Sequence, residues 1–162
     1  MFREANIIKN KLFKKSNNVL GVFIRGTDYL SVKPKKHPIV PLTENIIKDI
    51  KIMNKKNKYD IIFMVTEDII IRKKIIKEFG YKLKFLLPKN EINYNYSEKK
   101  LLFNYKNIVG SKDNLKNYLL NMIILSKCND IITSITNGSV FVLILNKGIF
   151  RHKIIYNLGL YK

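Results

Sequence analysis

Val19-Leu20-Gly21-Val22-Phe23-Ile24 runs apolar without a break and stops at Arg25-Gly26-Thr27-Asp28. A short run of this kind suits a strand covered on both faces, and such strands belong to parallel sheets. The pattern recurs downstream. Tyr59 to Val65 ends at Thr66-Glu67-Asp68, Leu83 to Leu87 reads as a third strand, and Asp130 to Ser134 precedes Thr136-Asn137-Gly138-Ser139. Helical spacing fills the intervals. Thr43 is placed to N-cap a helix with Ile46, Ile47, Ile50 and Met53 on one face. Another helix turns Ile71, Ile75, Ile76 and Phe79 inward before Gly80, and a third carries Leu115, Tyr118, Leu119, Met122, Ile123 and Ser126. The cluster from Thr136 opens a last helix that runs to Asn146. Pro88 to Asp113 lacks a clear period, is rich in Asn, Lys and Tyr, and reads as a long loop. Strands alternating with helices predict one α/β domain over residues 1–162 with a parallel sheet and no internal repeat.

The length of 162 residues allows one hydrophobic core and is too short for two full-sized domains. With 46% hydrophobic residues, four Pro and seven Gly, the composition excludes disordered, collagenous and solenoid classes. Cys128 stands alone, which excludes an intramolecular disulfide framework, and His37 and His152 are too far apart for zinc-ligand spacing. The first residues contain no apolar signal-peptide core, and no run approaches the length of a membrane span. A soluble, cytoplasmic protein without a bound metal is expected. The formal charge of +19 suggests a polyanion partner, either nucleic acid or an anionic membrane surface at which the chain would sit peripherally. Composition offers another account. Ile, Lys and Asn together make up about 44% of the chain and are spread throughout it, so a general drift toward these residues explains the charge without a function.

In an open parallel sheet, ligands sit beyond the carboxyl ends of the strands, where helix N-termini direct free amides outward. Three polar clusters fall there: Arg25 to Asp28, Thr66 to Asp68, and Thr136 to Ser139. None matches a dinucleotide-binding Gly pattern or a Walker A loop. Arg25 is informative because Lys supplies 27 of the 31 basic residues. A guanidinium offers a planar fork to phosphate oxygens, and it serves equally as a structural partner for Asp28. Glu67 and Asp68 suit a ligand or simply the first turn of a helix. Asn137-Gly138-Ser139 suits a phosphate held on helix amides, or a plain N-cap turn.

Five stretches in order carry a family likeness: Gly21 to Tyr29, Lys35-Lys36-His37-Pro38-Ile39, Val65-Thr66-Glu67-Asp68, Leu125-Ser126-Lys127-Cys128 and Thr136-Asn137-Gly138-Ser139-Val140. Over roughly residues 19–150 the chain resembles the fucosyltransferase superfamily, in particular the α-1,6-fucosyltransferase and O-fucosyltransferase group. The resemblance implies a Rossmann-like three-layer domain with a mostly parallel sheet, equivalent to the C-terminal, donor-binding half of a GT-B glycosyltransferase. It implies a GDP-sugar donor, GDP-fucose foremost, a glycan acceptor in surface polysaccharide synthesis, and metal-independent inverting transfer. By motif, Arg25 would hold the β-phosphate and stabilise leaving GDP. Thr66, Glu67 and Asp68 would line the nucleotide site, with Asp68 and Glu67 at the guanine edge. Asn137, Gly138 and Ser139 would cradle the diphosphate, and Asp28 would orient the loop.

Two positions depart from the family pattern. Phe23 replaces a usual His, and the segment after Asp28 lacks a carboxylate to serve as base. That leaves His37 as the nearby group able to accept a proton near neutral pH, or else as a structural residue before Pro38. The N-terminal half of a GT-B enzyme has no counterpart here, so a partner chain or an oligomer would supply it, or the chain is a split remnant. The competing expectation is a noncatalytic, basic nucleic-acid-binding module that stacks bases on Tyr94, Tyr96, Phe103 and Tyr105.

Overall fold

A computed structural model describes residues 1–26, 29, 32–86 and 112–162. The leading apolar run forms β1 (Val19–Phe23), buried along its whole length. It lies at the centre of a five-stranded sheet with β2 (Ile61–Val65), β3 (Leu83–Lys84), β4 (Asp130–Ser134) and β5 (Lys153–Tyr156), in the order β3-β2-β1-β4-β5. Every neighbouring pair is parallel. The helices α1 (Phe2–Phe13), α2 (Thr43–Asn57), α3 (Ile69–Phe79), α4 (Lys112–Leu125) and α5 (Asn137–Leu145) cover the sheet. The α/β architecture expected from the sequence is the one the chain adopts.

Strand alternation divides the core into two layers. Val19, Phe23, Ile61, Phe63 and Ile131 face α1, α4 and α5, where they meet Ala5, Phe13, Met122, Ile123 and Val142. Leu20, Val22, Ile62, Met64 and Ile132 face α2 and α3, against Ile46, Ile50, Met53, Ile71 and Ile75. Gly21 has a packing reason. A Cβ there would lie 3.1 Å from a Leu125 methyl and 3.2 Å from Cys128 Sγ, so a bare Cα lets the end of α4 close on the central strand. Cys128 is buried, and that burial pushes its thiol up.

Several expectations need correction. Thr43 is the first residue of α2 and Leu42 occupies the N-cap, with no side-chain cap bond. Ile76 points outward at 44% exposure, and the inward positions of α3 are Ile71, Arg72, Ile75 and Phe79, with the Arg72 guanidinium over the Phe85 ring. Leu115 is also exposed. Strand β3 is short, Leu87 and the loop from Pro88 lie outside the described residues up to position 111, and Asp113 already belongs to α4. Helix α1 and strand β5 have no counterpart in the sequence reading. No helix among the described residues is long and apolar enough to cross a membrane.

The amino edge of the sheet is tied by one carboxylate. Asp130, fully buried at the start of β4, accepts from Tyr59 Oη at 2.5 Å, Arg151 Nη2 at 2.6 Å, Arg151 Nε at 3.1 Å and the His152 amide at 2.8 Å. Arg151 Nη2 also donates to Asn18 Oδ1 at 2.7 Å, which reaches the entry to β1. Burial alone would raise the Asp130 carboxyl, but hydrogen bonds from Arg151, Tyr59 and the His152 amide outweigh it and hold the pKa below the usual value. The Tyr59 hydroxyl is pushed up by burial and by the carboxylate it donates to.

Asp130→Asn should therefore destabilise the fold by about 2 kcal/mol, less than a fully buried pair would because Arg151 is half exposed, and lower Tm by about 4–8 °C. A depressed folded-state pKa stabilises above the unfolded value of about 3.9 and ceases to do so as pH falls through the folded value. Urea titrations should show the wild-type advantage over Asp130→Asn in full near neutrality and shrinking below about pH 4. An advantage independent of pH would contradict this assignment.

Candidate functional site

At the opposite edge, the carboxyl ends of β1, β2 and β4 bring three loops together. Arg25 follows β1 with its side chain 24% exposed, and its Nε lies 3.2 Å from Glu67 Oε1, on the loop after β2. The same Glu67 oxygen accepts the Gly26 amide at 3.0 Å, so one carboxylate fixes both the guanidinium and the backbone that carries it. The Arg25 guanidinium also lies over the Tyr29 ring, 4.9 Å from its centroid. Ion pair and stacking confine the cation from two directions. Asp28, and with it the expected Arg25 to Asp28 pair, lies outside the described residues.

Thr66, Glu67 and Asp68 divide their work. Asp68 is the N-cap of α3: its Oδ1 accepts the amides of Ile70 at 2.8 Å and Ile71 at 3.0 Å, and the residue is 3% exposed. Thr66 Oγ1 accepts the Asp68 amide at 3.1 Å. Gly26 lies so close that a Cβ would stand 2.4 Å from Asp68 Cβ, which is why the first loop can rest on the second only with Gly in that place. Asp68 thus sits behind the loop that carries Arg25.

The third cluster forms the N-terminus of α5. Thr136 is the N-cap, and its Oγ1 accepts the Ser139 amide at 3.2 Å while Ser139 Oγ accepts the Thr136 amide at 2.8 Å, a complete capping box. Ser139 Oγ also donates to the Thr136 carbonyl at 2.8 Å, so its single proton is engaged. Asn137 is exposed, and among the described residues the amides of Asn137 and Gly138 have no hydrogen-bond partner. They are the donors this helix end leaves unpaired, Asn137 at the surface and Gly138 buried beside it. Gly138 is bare because of its neighbours. A Cβ there would lie 2.3 Å from Tyr118 Oη and 2.8 Å from the Phe23 ring. Phe23, where the family pattern has His, is therefore an apolar support under the α5 corner.

His37 is exposed and reaches the same neighbourhood through Tyr29, whose ring it meets edge-on at 5.5 Å. Its Nδ1 lies 3.0 Å from the Lys35 carbonyl, which can only accept, so Nδ1 carries a proton and the neutral ring leaves Nε2 as the basic nitrogen. The chain's last residues hold this loop in place. The Tyr161 amide donates to the His37 carbonyl at 2.9 Å, the Lys36 amide to the Tyr161 carbonyl at 2.9 Å, and the Ile39 amide to the Gly159 carbonyl at 3.0 Å.

The site thus joins Arg25, Glu67, the open amides of Asn137 and Gly138, and, through Tyr29, His37. Thr66, Asp68 and Ser139 stand behind it as caps. Neither Tyr29 nor Tyr118 is marked as a site residue by its sequence pattern. Tyr29 lies inside the quoted first motif, and Tyr118, grouped by its spacing with the apolar face of α4, is 37% exposed at the site edge. No group of three or more His, Cys, Asp or Glu among the described residues converges as metal ligands.

The sequence matches no family model and no curated protein. Solved structures do resemble the fold. NodZ α-1,6-fucosyltransferase, co-crystallised with GDP, aligns over 89% of this chain and 41% of its own at 15% identity, with a TM-score of 0.48. POFUT1 in complex with GDP aligns over 94% of this chain and 46% of its own at 8% identity, with a TM-score of 0.59. The chain spans less than half the length of either protein. At such identity the likeness concerns architecture, and it rests on the second alignment: the chain shares the parallel α/β fold of the aligned part of POFUT1.

Proposed function

We propose that this chain is the donor-binding half of a fucosyltransferase-like glycosyltransferase and binds a GDP-sugar at the carboxyl edge of its sheet. The observation that carries this reading is the Arg25 guanidinium, clamped by Glu67 at 3.2 Å and stacked on Tyr29, on the sheet edge where the α5 amides are open. A GDP complex of a protein with the same fold supports it. A diphosphate is the ligand this chemistry fits. A fixed cation and unpaired helix amides stabilise two adjacent anionic groups without an ordered metal.

In this reading the acceptor oxygen attacks the anomeric carbon, the bond from that carbon to the β-phosphate oxygen breaks, and its electron pair stays on GDP. Arg25 stabilises the charge that grows on the leaving diphosphate, and preorganisation by Glu67 and Tyr29 saves the cost of orienting it during the reaction. His37 Nε2 accepts the acceptor's proton, helped by a tautomer already set by Lys35. Glu67 has a positioning role through Arg25 and the Gly26 amide, and Asp68, Thr66 and Ser139 shape the loops that present the ligands. Asp28 belongs to the same proposed loop. Fucose is the proposed sugar, a cell-surface glycan the proposed acceptor, and a partner chain or second copy the proposed source of the remaining wall.

A thermal-shift titration tests donor binding. At a GDP concentration one hundred times Kd, mass action stabilises the protein by about 2.7 kcal/mol, which raises Tm by about 5–10 °C. Arg25→Ala should weaken GDP by about 10- to 100-fold through loss of a charge-assisted contact and abolish most of that rise. Unchanged melting with GDP, GDP-fucose and GDP-mannose would contradict the reading. So would tight binding of single-stranded nucleic acid that falls steeply with salt and is indifferent to Arg25→Ala, the behaviour of a diffuse basic surface.

A further inference from the structure

The edge of this site carries a hydroxyl that neither the Arg25 clamp nor the capping box employs. Tyr118 lies on α4, and its Oη comes so near Gly138 Cα that a Cβ would stand 2.3 Å from it, which places the phenol beside the open first turn of α5. The same side chain feels the charges of Arg25 and Glu67 and the Tyr29 hydroxyl, so it lies within electrostatic reach of the clamped cation. Among the described residues its hydroxyl makes no hydrogen bond. Ser134, the last residue of β4 and two residues before the α5 cap, is 1% exposed, and its Oγ likewise has no partner among the described residues. The two differ in exposure: Ser134 Oγ is a buried polar atom without a partner, which is costly, whereas Tyr118 is 37% exposed and its hydroxyl stands open to a ligand arriving at this edge.

We propose that Tyr118 is a donor-binding residue whose phenolic O–H donates to an oxygen of the diphosphate held by Arg25 and the α5 amides. The proposal rests on the nucleotide-sugar reading above and extends it by one ligand and one rule for the corner. Residue 138 must lack a side chain so that the phenol can lie over the helix terminus. Burial raises the Tyr118 hydroxyl, with Glu67 and Tyr29 adding to the effect and Arg25 opposing it, so the group keeps its proton and acts as a donor throughout the working pH range. Tyr118 binds and orients; it takes no proton in the reaction.

Calorimetric titration of wild type and Tyr118→Phe with GDP, inorganic pyrophosphate and guanosine tests this. Removing one hydroxyl while keeping the ring should leave the ligand-free Tm unchanged, raise Kd for GDP and for pyrophosphate by about tenfold, and leave guanosine binding as it was. If wild type binds GDP and Tyr118→Phe binds it equally well, the Tyr118 assignment is overturned while the donor-site reading stands. Equal weakening of GDP and guanosine would overturn it too, since that pattern belongs to a residue shaping the pocket. No GDP binding by wild type would remove both.

Discussion

One carboxylate oxygen of Glu67 holds together the two loops on which the proposed chemistry depends. It receives the Gly26 amide at 3.0 Å and faces Arg25 Nε at 3.2 Å, so one acceptor atom serves both the backbone and the side chain of the loop after β1. A surface ion pair contributes little to stability. Its value here is orientational: a guanidinium carried on a loop would otherwise sample many rotamers, and an anionic ligand would have to order it on binding. Gly26 makes the arrangement sterically feasible by letting the first loop rest against Asp68.

Stability and binding are assigned to opposite edges of the same sheet. At the amino edge, Asp130 saturates itself with Tyr59, Arg151 and the His152 amide and leaves nothing exposed for a ligand. At the carboxyl edge, caps built from Asp68 and from Thr136 with Ser139 satisfy part of each helix end and leave the first α5 amides open. The two layers of core side chains between these edges make the separation possible, since strands buried on both faces transmit position with little play. The +19 charge surrounds this framework, and on the amino edge it is locally compensated by a buried carboxylate.

The central strand, the α/β alternation and the three polar clusters were legible because each is a local pattern: an apolar run, a polar stop, then helical spacing. What escaped was nonlocal or diluted. Helix α1 buries only Ala5 and Phe13 in a Lys- and Asn-rich segment, so its apolar stripe is too thin to stand out. Edge strand β5 alternates exposed and half-buried positions over four residues, a signal too short to separate from a turn. Ile76 was placed inward by its apolarity, whereas the geometry of α3 gives that side to Arg72, whose aliphatic stem packs while its head meets Phe85. In the site, Arg25 and the α5 corner could be read from their types and positions. That Glu67 would bind Arg25 and Asp68 would cap α3 could not, because adjacent carboxylates in a sequence carry no sign of which way each turns. Phe23 and Tyr118 meet at Gly138 from elements far apart in the chain, and only the fold brings them together.

The chain spans less than half the length of the solved proteins it resembles, and the proposed binding of a donor is a separate question from transfer. Binding is the central claim, and a crystal structure of the protein soaked with GDP addresses it most directly. The account predicts the diphosphate at the carboxyl edge of the sheet, with Arg25 in hydrogen-bonding contact with the β-phosphate and the amides of Asn137 or Gly138 directed at the same group. GDP lodged anywhere else, or bound at that edge with the Arg25 guanidinium still turned wholly toward Glu67 and out of reach of the phosphates, would contradict it.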